Sequence, residues 1–281
     1  MEKRTPSYIA SLKGKRKIVA ITAYDYPSAF YAQAAGVDII LVGDSLGMVV
    51  KGEETTLGVT LEEMVYHTRA VARAKGEALV VADMPFLSYT DPHQAVVSAG
   101  RLIRAGAEAV KLEGPRVEVI RALTAEGIPV MGHVGLTPQH YLRLGFRTQG
   151  RKWRSALKIL EQAKEIEEAG AFSLVLESIP FRVARVITRN LSIPTVGIGA
   201  GPFCDGQILV FHDLLGLYPG KKPSFVREYA RLGPAIEEAL RAYGRDVMEG
   251  KYPTEDEAFS MKEEEYTKFM EALNGGSKEN I

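Results

Sequence analysis

Cysteine is almost absent from this sequence, which has 281 residues and one cysteine, Cys204. A lone cysteine cannot form a disulfide within the chain, so nothing in the sequence calls for an oxidising compartment. A reducing cytosol suits such a chain, and we expect a cytoplasmic protein.

An excess of charge is also lacking, because 35 Lys and Arg residues balance 35 Asp and Glu residues. Nucleic-acid-binding proteins and polybasic membrane anchors both need Lys and Arg in excess. No apolar run approaches the roughly 20 residues that cross a bilayer, and the basic segment 1–17 lacks the apolar stretch of a secretory signal. We therefore expect a soluble protein that has neither a nucleic acid nor a membrane as its partner.

Short runs rich in Val, Ile and Leu recur along the chain with helical segments between them. This alternation predicts parallel strands joined by crossover helices. The eighth run, QILVF from 207, is either a strand or a buried helical turn. No Pro- or Ser-rich linker separates the units, so an α/β fold with one closed (β/α)₈ TIM barrel is favoured over an open sheet. We predict a single domain over 1–281 that ends in a polar extension at 261–281. The first seven runs begin at residues 17, 38, 78, 108, 129, 172 and 193.

Helix-start and helix-stop residues separate these runs. Thr60 and Glu63 form a capping-box pattern, and Asp91 followed by Pro92 is a second helix start. The segment 135–154 interrupts the rhythm after the fifth run, and a long polar loop there is either an active-site lid or a surface loop. Glycines that suit a left-handed helix stop follow helical runs at Gly36, Gly106, Gly127 and Gly170.

Carboxylates close four of the predicted strands. The ordinary interpretation of any one of them is a helix N-cap or a turn residue. Four at equivalent positions favour an active site, because the carboxyl ends of barrel strands surround the pocket. Strand alternation puts Ile40 and Val42 on the face of Asp44, and the pattern leaves open whether that face is the barrel interior. The four carboxylates are Asp44, Asp83, Glu113 and Glu177.

Asp44, Asp83 and Glu113 fall on neighbouring strands, so we expect them in one sector of the barrel mouth. Like charges placed so closely repel one another unless a cation lies among them. Oxygen ligands select a hard divalent ion, and we predict Mg²⁺, with other divalent ions as alternatives. Since Mg²⁺ commonly takes one or two carboxylates, one of the three acids would then bind it through water.

Such an ion has a chemical purpose if the substrate is a 2-oxo acid, which can chelate it through carboxylate and keto oxygens. The ion would stabilise the enolate formed when the neighbouring carbon loses its proton. Glu177, two strands beyond the metal sector, is the candidate base. Lys111 either neutralises the substrate or forms a structural ion pair with Glu113, and His133 is either a substrate contact or a structural residue. The GIGAG segment from 197 is better explained as a tight turn than as a phosphate loop.

Eight segments of the chain, between about residues 17 and 260, resemble the ketopantoate hydroxymethyltransferase family. Together they form a highly specific pattern, while the tail after Ser260 matches nothing in it. The segments are ITAYDYPSA from 21, LVGDSLGMVVKG from 41, TLEEMVYHTRAV from 60, VADMPF from 81, VKLEG from 110, GHVGLTPQ from 132, LVLESIP from 174 and GIGAGPFCDGQILVFHDLLG from 197.

The resemblance implies a barrel of the phosphoenolpyruvate/pyruvate type that acts in the first committed step of pantothenate and coenzyme A biosynthesis. The implied reaction transfers a hydroxymethyl group from 5,10-methylenetetrahydrofolate to 3-methyl-2-oxobutanoate, giving 2-dehydropantoate and tetrahydrofolate. The resemblance also implies a cytoplasmic homodecamer of five dimers. It carries the proton-acceptor role to Glu177 and Mg²⁺ ligation to Asp44, Asp83 and Glu113. It carries substrate contacts to Asp44, Ser45, Asp83, Lys111 and, less directly, His133.

Three other interpretations stay open at this point. Lys111 could be the nucleophile of a Schiff-base aldolase, if its barrel setting leaves it desolvated and activated. A carbon–carbon lyase of the isocitrate lyase type would share the metal and the 2-oxo acid, although the sequence lacks the expected catalytic cysteine loop. A non-catalytic barrel would bind a small ligand without any need for Glu177.

Overall fold

A computed structural model of the chain describes residues 3–275, and the chain divides into one unit that ends at Ala230 and a second that starts at Arg231. In the first unit parallel strands pair in chain order, and pairing of the first strand with the last closes a barrel. The strands are β1 (Ile18–Thr22), β2 (Ile39–Val42), β3 (Leu79–Asp83), β4 (Ala109–Lys111), β5 (Val130–Gly135), β6 (Ser173–Glu177), β7 (Thr195–Ile198) and β8 (Gly206–Leu209).

A helix precedes β1, and helices follow every strand except β7, which a segment of turns and bends at 199–205 joins directly to β8. The predicted (β/α)₈ barrel is therefore confirmed, and the ambiguous run from 207 forms β8. The α-helices of this unit are α1 (Pro6–Ser11), α2 (Tyr26–Ala34), α3 (Leu46–Val49), α4 (Leu61–Ala72), α5 (Pro92–Arg104), α6 (Val117–Ala125), α7 (Tyr141–Leu144), α8 (Trp153–Glu168), α9 (Phe181–Asn190) and α10 (Phe211–Leu214).

The predicted helix boundaries have the expected hydrogen bonds. The Oγ1 of Thr60 accepts from the N–H of Glu63, whose own carboxylate accepts from the N–H of Thr60, so the capping box before α4 is confirmed. Asp91 caps α5 through the N–H of Gln94. Each of the predicted stop glycines has a positive φ: Gly36, Gly106, Gly127 and Gly170.

Alternation along the strands separates two layers of core. Ile39 and Leu41 belong to the cluster inside the barrel, whereas Ile40 and Val42 belong to the layer between the strands and the surrounding helices. This settles the face that the sequence leaves open, because the residues on the predicted face of Asp44 point towards the helices. Helix α1 adds Ile9 to the interior cluster.

A buried ion pair fixes the segment between α1 and β1. The carboxylate of Asp38 accepts two hydrogen bonds of 2.7 Å from the guanidinium of Arg16 and one of 2.9 Å from the N–H of Val19. Burial alone would raise the pKa of Asp38, but the hydrogen bonds from Arg16 and Val19 outweigh it and hold that pKa below its ordinary value.

The second unit contains α11 (Leu232–Met248), a 3₁₀ turn at Glu255–Glu257 and α12 (Glu263–Gly275), and no described residue of α11 or α12 is buried. Residues 276–281 of the predicted polar extension lie outside the described residues, as do residues 1–2 of the predicted domain. Within 3–275, no helix has both the length and the apolar character needed to cross a membrane.

Candidate active site

A cavity of about 670 Å³ opens at the carboxyl ends of the strands. The inner end of this cavity is polar, and its outer walls come from the segment 136–148 after β5 and the segment 218–226 after α10. All the site residues predicted from the sequence line it, so the structure brings them together although their functional roles stay predictions. They are Asp44, Ser45, Asp83, Lys111, Glu113, His133 and Glu177.

Most of these side chains reach the cavity by continuing the inward face of a strand. Asp83 follows Leu79 and Val81 of the interior cluster, and Lys111 follows Ala109. The β3–β4 register places Asp83 opposite Lys111. Their ion pair is therefore a cross-strand neighbour pair, set by strand pairing rather than by a flexible loop.

Asp44 reaches the cavity by a different route. The strand β2 ends at Val42, and the chain turns at Gly43 before Asp44, so strand alternation does not apply to it. A Cβ atom on Gly43 would lie 2.8 Å from the Oγ of Ser45, which explains the glycine at this turn. The turn lets the N–H of Asp44 donate a 3.0 Å hydrogen bond to the Oδ2 of Asp83.

The Asp83–Lys111 ion pair lies at the centre of the polar end. The Nζ of Lys111 is 2.6 Å from the Oδ1 of Asp83, and the two side chains are 6% and 3% exposed. Both oxygens of Asp83 therefore accept hydrogen bonds, one from Lys111 and one from the backbone of Asp44.

Gln139 is a site residue that the sequence reasoning missed. Its Nε2 donates to the Oδ2 of Asp44 at 2.7 Å and to the carbonyl of Met84 at 2.9 Å, and its backbone N–H donates to the Oε2 of Glu113 at 3.1 Å. The hydroxyl of Tyr89 donates a hydrogen bond to the Oε1 of Gln139. One buried amide thus links two of the predicted ligands. Its position in the segment 135–154, predicted as a lid or a surface loop, was the available signal.

His133 lies between Glu113 and Glu177. Its Nδ1 is 3.7 Å from the Oε1 of Glu113 and its Nε2 is 3.3 Å from the Oε2 of Glu177, yet neither contact has the alignment of a hydrogen bond. Burial lowers the pKa of His133, so the imidazole is neutral at neutral pH. Its two nitrogens are available to a ligand hydroxyl or to water.

The backbone holds Glu177 firmly at the end of β6. Its carbonyl accepts a 2.9 Å hydrogen bond from the N–H of Leu136, and the next residue, Ser178, has a positive φ of 47°. A non-glycine residue in this region is uncommon and costs free energy, and such residues cluster at functional sites. The side chain of Glu177 is 17% exposed and faces the cavity.

Burial and mutual repulsion shift the pKa values of the acidic group. Burial, followed by the charge of Asp83, raises the pKa of Asp44 to about 7. Burial and the charge of Asp44 raise the pKa of Glu113 well above its ordinary value. Burial alone would lower the pKa of Lys111, but the charges of Asp83 and Glu113 outweigh it and raise that pKa. Lys111 is therefore a charged ammonium at neutral pH.

Charge balance and donor type at this site fit a hard divalent cation. Asp44, Asp83 and Glu113 carry three negative charges when ionised, against one positive charge on Lys111, and carboxylate oxygens are the donors that Mg²⁺ prefers. Within residues 3–275, however, no three His, Cys, Asp or Glu side chains are arranged as a metal-binding group. The hydrogen bonds of Lys111 and Gln139 hold the carboxylate oxygens instead, so a bound ion would need water or substrate oxygens to complete its shell.

Glycines of the GIGAG segment serve packing and turn geometry. Gly199 has a φ of 61°, and a Cβ atom there would lie 2.7 Å from the Cδ1 of Phe225. This geometry accords with the tight turn preferred from the sequence. The neighbouring Cys204 is buried and unpaired.

Comparison with known proteins identifies the family. The family model for ketopantoate hydroxymethyltransferase matches residues 3–255. A 3-methyl-2-oxobutanoate hydroxymethyltransferase from Thermococcus kodakarensis is 52% identical over 279 residues, covering 97% of this chain and 98% of the relative. One from Caldivirga maquilingensis is 55% identical over 260 residues, covering 90% of this chain and 98% of the relative.

Two solved structures share the fold. A phosphonopyruvate hydrolase in complex with oxalate and Mg²⁺ superposes with a TM-score of 0.60 at 16% identity, covering 97% of each chain. A 2,3-dimethylmalate lyase superposes with a TM-score of 0.57 at 19% identity, covering 97% of this chain and 100% of the other. These likenesses accord with the (β/α)₈ barrel fold of this chain. With the family match and relatives at half identity or more, this chain belongs to the ketopantoate hydroxymethyltransferase family of transferase enzymes.

Proposed function

We propose that this enzyme transfers a hydroxymethyl group from 5,10-methylenetetrahydrofolate to 3-methyl-2-oxobutanoate, yielding 2-dehydropantoate and tetrahydrofolate. The names of relatives at 50% identity and above support the acceptor and the reaction. The reaction would form the first committed step of pantothenate and coenzyme A biosynthesis.

One observation carries the proposal most strongly: buried acidic groups and a charged lysine face the same cavity as a separate carboxylate, Glu177. A 2-oxo acid has a weakly acidic hydrogen on C3, next to its carbonyl carbon. Removing that hydrogen needs a base on one side and a stabilised oxygen on the other. Glu177 supplies the base, Lys111 pairs with a substrate oxygen, and the acidic group would hold the cation that stabilises the enolate oxygen.

Glu177 accepts the C3 proton, which leaves the electron pair on the enolate. The methylene carbon forms one bond to C3 and one to the oxygen of a water, while its bonds to N5 and N10 of the folate break. The proton from C3 and one proton of the water end on these two nitrogens of tetrahydrofolate. Lys111 lies where a protonated ammonium can pair with a substrate carboxylate or oxyanion, since its charge is kept by Asp83. Asp44, Ser45, Asp83 and His133 complete the proposed substrate contacts.

Asp44, Asp83 and Glu113 would hold the Mg²⁺ ion that we propose as cofactor, with other divalent ions as alternatives. When bound, this ion would polarise the keto oxygen and balance the charge of the group. Gln139 orients two of these carboxylates through its hydrogen bonds. Because His133 is neutral, it places no positive charge beside Glu177.

The ion pair of Lys111 disfavours the Schiff-base interpretation. A lysine nucleophile must lose its proton, whereas the carboxylates around Lys111 raise its pKa. The lyase interpretation needs a catalytic cysteine, and Cys204 is buried and does not line the cavity. Borohydride trapping in the presence of 3-methyl-2-oxobutanoate would reveal any covalent adduct.

We also propose a cytoplasmic homodecamer of five dimers. The family resemblance supports it, and light scattering after size exclusion should give ten times the chain mass of 30.8 kDa. A stable monomer or dimer would contradict the decamer.

The direct test of the reaction incubates purified enzyme with both substrates and Mg²⁺, with 2-dehydropantoate detected by mass spectrometry. We expect product that depends on the folate, carries its labelled methylene carbon and disappears with a chelator. Formation of product without the folate, or undiminished turnover in excess chelator, would contradict the donor or the metal, respectively.

A further inference from the structure

A buried carboxylate on the cavity wall has no role in the chemistry above. Asp213 lies in α10, just after β8, and is 9% exposed. It lines the cavity, yet within residues 3–275 its side chain makes no hydrogen bond or ion pair. The other buried acids of the cavity each have a donor, as Asp44, Asp83 and Glu113 do.

A carboxylate without a protein donor leaves its oxygens to water, so a ligand that brings N–H donors to Asp213 replaces that water with direct hydrogen bonds. Burial raises the pKa of Asp213, and the charge of Lys222 partly offsets that rise. Donors from a ligand would favour the charged form further. Asp213 therefore suits a ligand with two parallel N–H groups, one for each carboxylate oxygen.

Asp213 is also close to the substrate end of the cavity. The ring of Tyr24 lies 5.4 Å, centroid to centroid, from the ring of His212, the residue before Asp213. The hydroxyl of Tyr24 in turn lies 2.8 Å from the Oγ of Ser45, one of the proposed substrate contacts. A ligand on Asp213 thus reaches the neighbourhood of the bound oxo acid.

Other side chains of the same cavity suit a flat ring and an anion. Tyr218, Phe225 and Val226 line the outer cavity. At the rim, Arg147 and Lys221 are exposed cations whose side chains pair with no acid among the described residues. The cavity therefore combines a largely buried acceptor, Asp213, with exposed cations that have no acidic partner.

We propose that the tetrahydrofolate co-substrate enters ring first, so that Asp213 binds the N3–H and 2-amino edge of its pterin and the glutamyl tail passes Arg147 and Lys221. The inference rests on the folate donor proposed above. Two parallel N–H donors match the two oxygens of a carboxylate, as in an arginine–carboxylate pair. The other substrate, 3-methyl-2-oxobutanoate, is an anion without an N–H group, and Asp213 would repel it.

The test measures binding of tetrahydrofolate, under anaerobic conditions, to the wild type and to Asp213→Asn. The amide keeps the size of the side chain but offers one acceptor instead of two, so we expect Kd to rise about 10- to 100-fold. The same pair of proteins is then tested with a 2-desamino analogue of tetrahydrofolate. The Asp213→Asn penalty should shrink to less than about threefold, because the donor that it served is gone.

The tail is tested with Arg147→Ala/Lys221→Ala and with tetrahydropteroate, which lacks the glutamate. We expect the double variant to bind tetrahydrofolate about two- to tenfold more weakly than the wild type, since exposed ion pairs are individually weak. Its binding of tetrahydropteroate should be unchanged. Lys158→Ala, an exposed lysine on α8, is the matched control and should change neither Kd. Calorimetric binding of 3-methyl-2-oxobutanoate with Mg²⁺ checks that each variant is folded.

The outcomes separate this inference from the proposed function. Equal penalties for tetrahydrofolate and its desamino analogue in Asp213→Asn would overturn the pterin contact, and so would no penalty at all. If Arg147→Ala/Lys221→Ala weakened the binding of tetrahydropteroate as much as that of tetrahydrofolate, the orientation of the tail would be overturned. Failure of the wild type to bind tetrahydrofolate would instead refute the donor assigned in the proposed function.

Discussion

Replacing Lys111 by methionine removes the positive charge from the acidic end of the cavity while keeping most of the side-chain volume. Asp44, Asp83 and Glu113 would then face one another without that counter-charge. We expect a large loss of folding free energy in metal-free buffer, and a smaller one when Mg²⁺ is present. The lysine also supplies one of the two hydrogen bonds to Asp83.

The burial of the pair sets the size of the effect. The Nζ–Oδ1 distance is 2.6 Å, and the side chains of Lys111 and Asp83 are 6% and 3% exposed. An exposed ion pair contributes about 0–1 kcal/mol, whereas removing one partner of a buried pair costs about 3–5 kcal/mol. For a domain of this size that loss corresponds to a drop in Tm of roughly 6–20 °C.

Urea unfolding in chelator, at a pH above the raised pKa of Asp44, measures this loss. Lys158→Met is the matched control, because Lys158 is exposed on α8 and should change the unfolding free energy by less than about 0.5 kcal/mol. Adding Asp83→Asn to Lys111→Met should recover part of the loss, since the uncompensated charge is removed. A Lys111→Met loss below about 1 kcal/mol, the range of exposed pairs, would refute the burial argument.

Three further predictions concern stability. Asp38→Asn should lower the unfolding free energy by about 2–3 kcal/mol, because Asp38 accepts charge-assisted hydrogen bonds from Arg16. Because the pKa of Asp38 is lowered, its contribution to stability is complete above about pH 4 and is lost as the pH falls through the folded-state pKa. The unfolding free energies of the wild type and the variant should therefore converge in acid. A difference between them that stays constant down to the acid limit would contradict this. Gln139→Leu should cost about 1–3 kcal/mol and weaken Mg²⁺ binding, because it leaves the carbonyl of Met84 and the carboxylate of Asp44 without their donor; calorimetry with unchanged Mg²⁺ affinity would count against this linking role. In chelator, the raised pKa of Asp44 should make the unfolding free energy fall as the pH rises from about 4 to about 7, because the folded state binds an extra proton in that range. Bound Mg²⁺ should reduce this dependence of stability on pH. An equal dependence with and without Mg²⁺ would contradict the metal assignment.

The barrel could be predicted because its signals are local. Thr60 and Glu63 cap α4 through side chains three residues apart, and the strands appear as separate apolar runs. The run from 207 was ambiguous because β8 is four residues long and is followed at once by α10. Its pairing with β1 on one side and β7 on the other makes it a strand, and neither pairing is visible in a short segment.

The residues of the site could be predicted more fully than their arrangement. Asp83 follows the inward face of β3, but Asp44 reaches the cavity through a turn at Gly43, so the alternation argument for its face does not apply. Gln139 could not be assigned, because a buried amide in a loop acquires its role from partners that are distant in sequence. The same holds for Asp213, whose importance depends on the donors that it lacks rather than on a motif.

The central claim is that this cavity converts 3-methyl-2-oxobutanoate to its enolate with Glu177 as the base. Exchange of the C3 hydrogen with deuterated solvent, followed by NMR in the absence of any folate, isolates that step. We predict exchange by the wild type with Mg²⁺, a decrease of about 10²- to 10⁴-fold for Glu177→Gln, and wild-type exchange for the exposed control Glu161→Gln on α8. Equal exchange by Glu177→Gln and the wild type would contradict the claim.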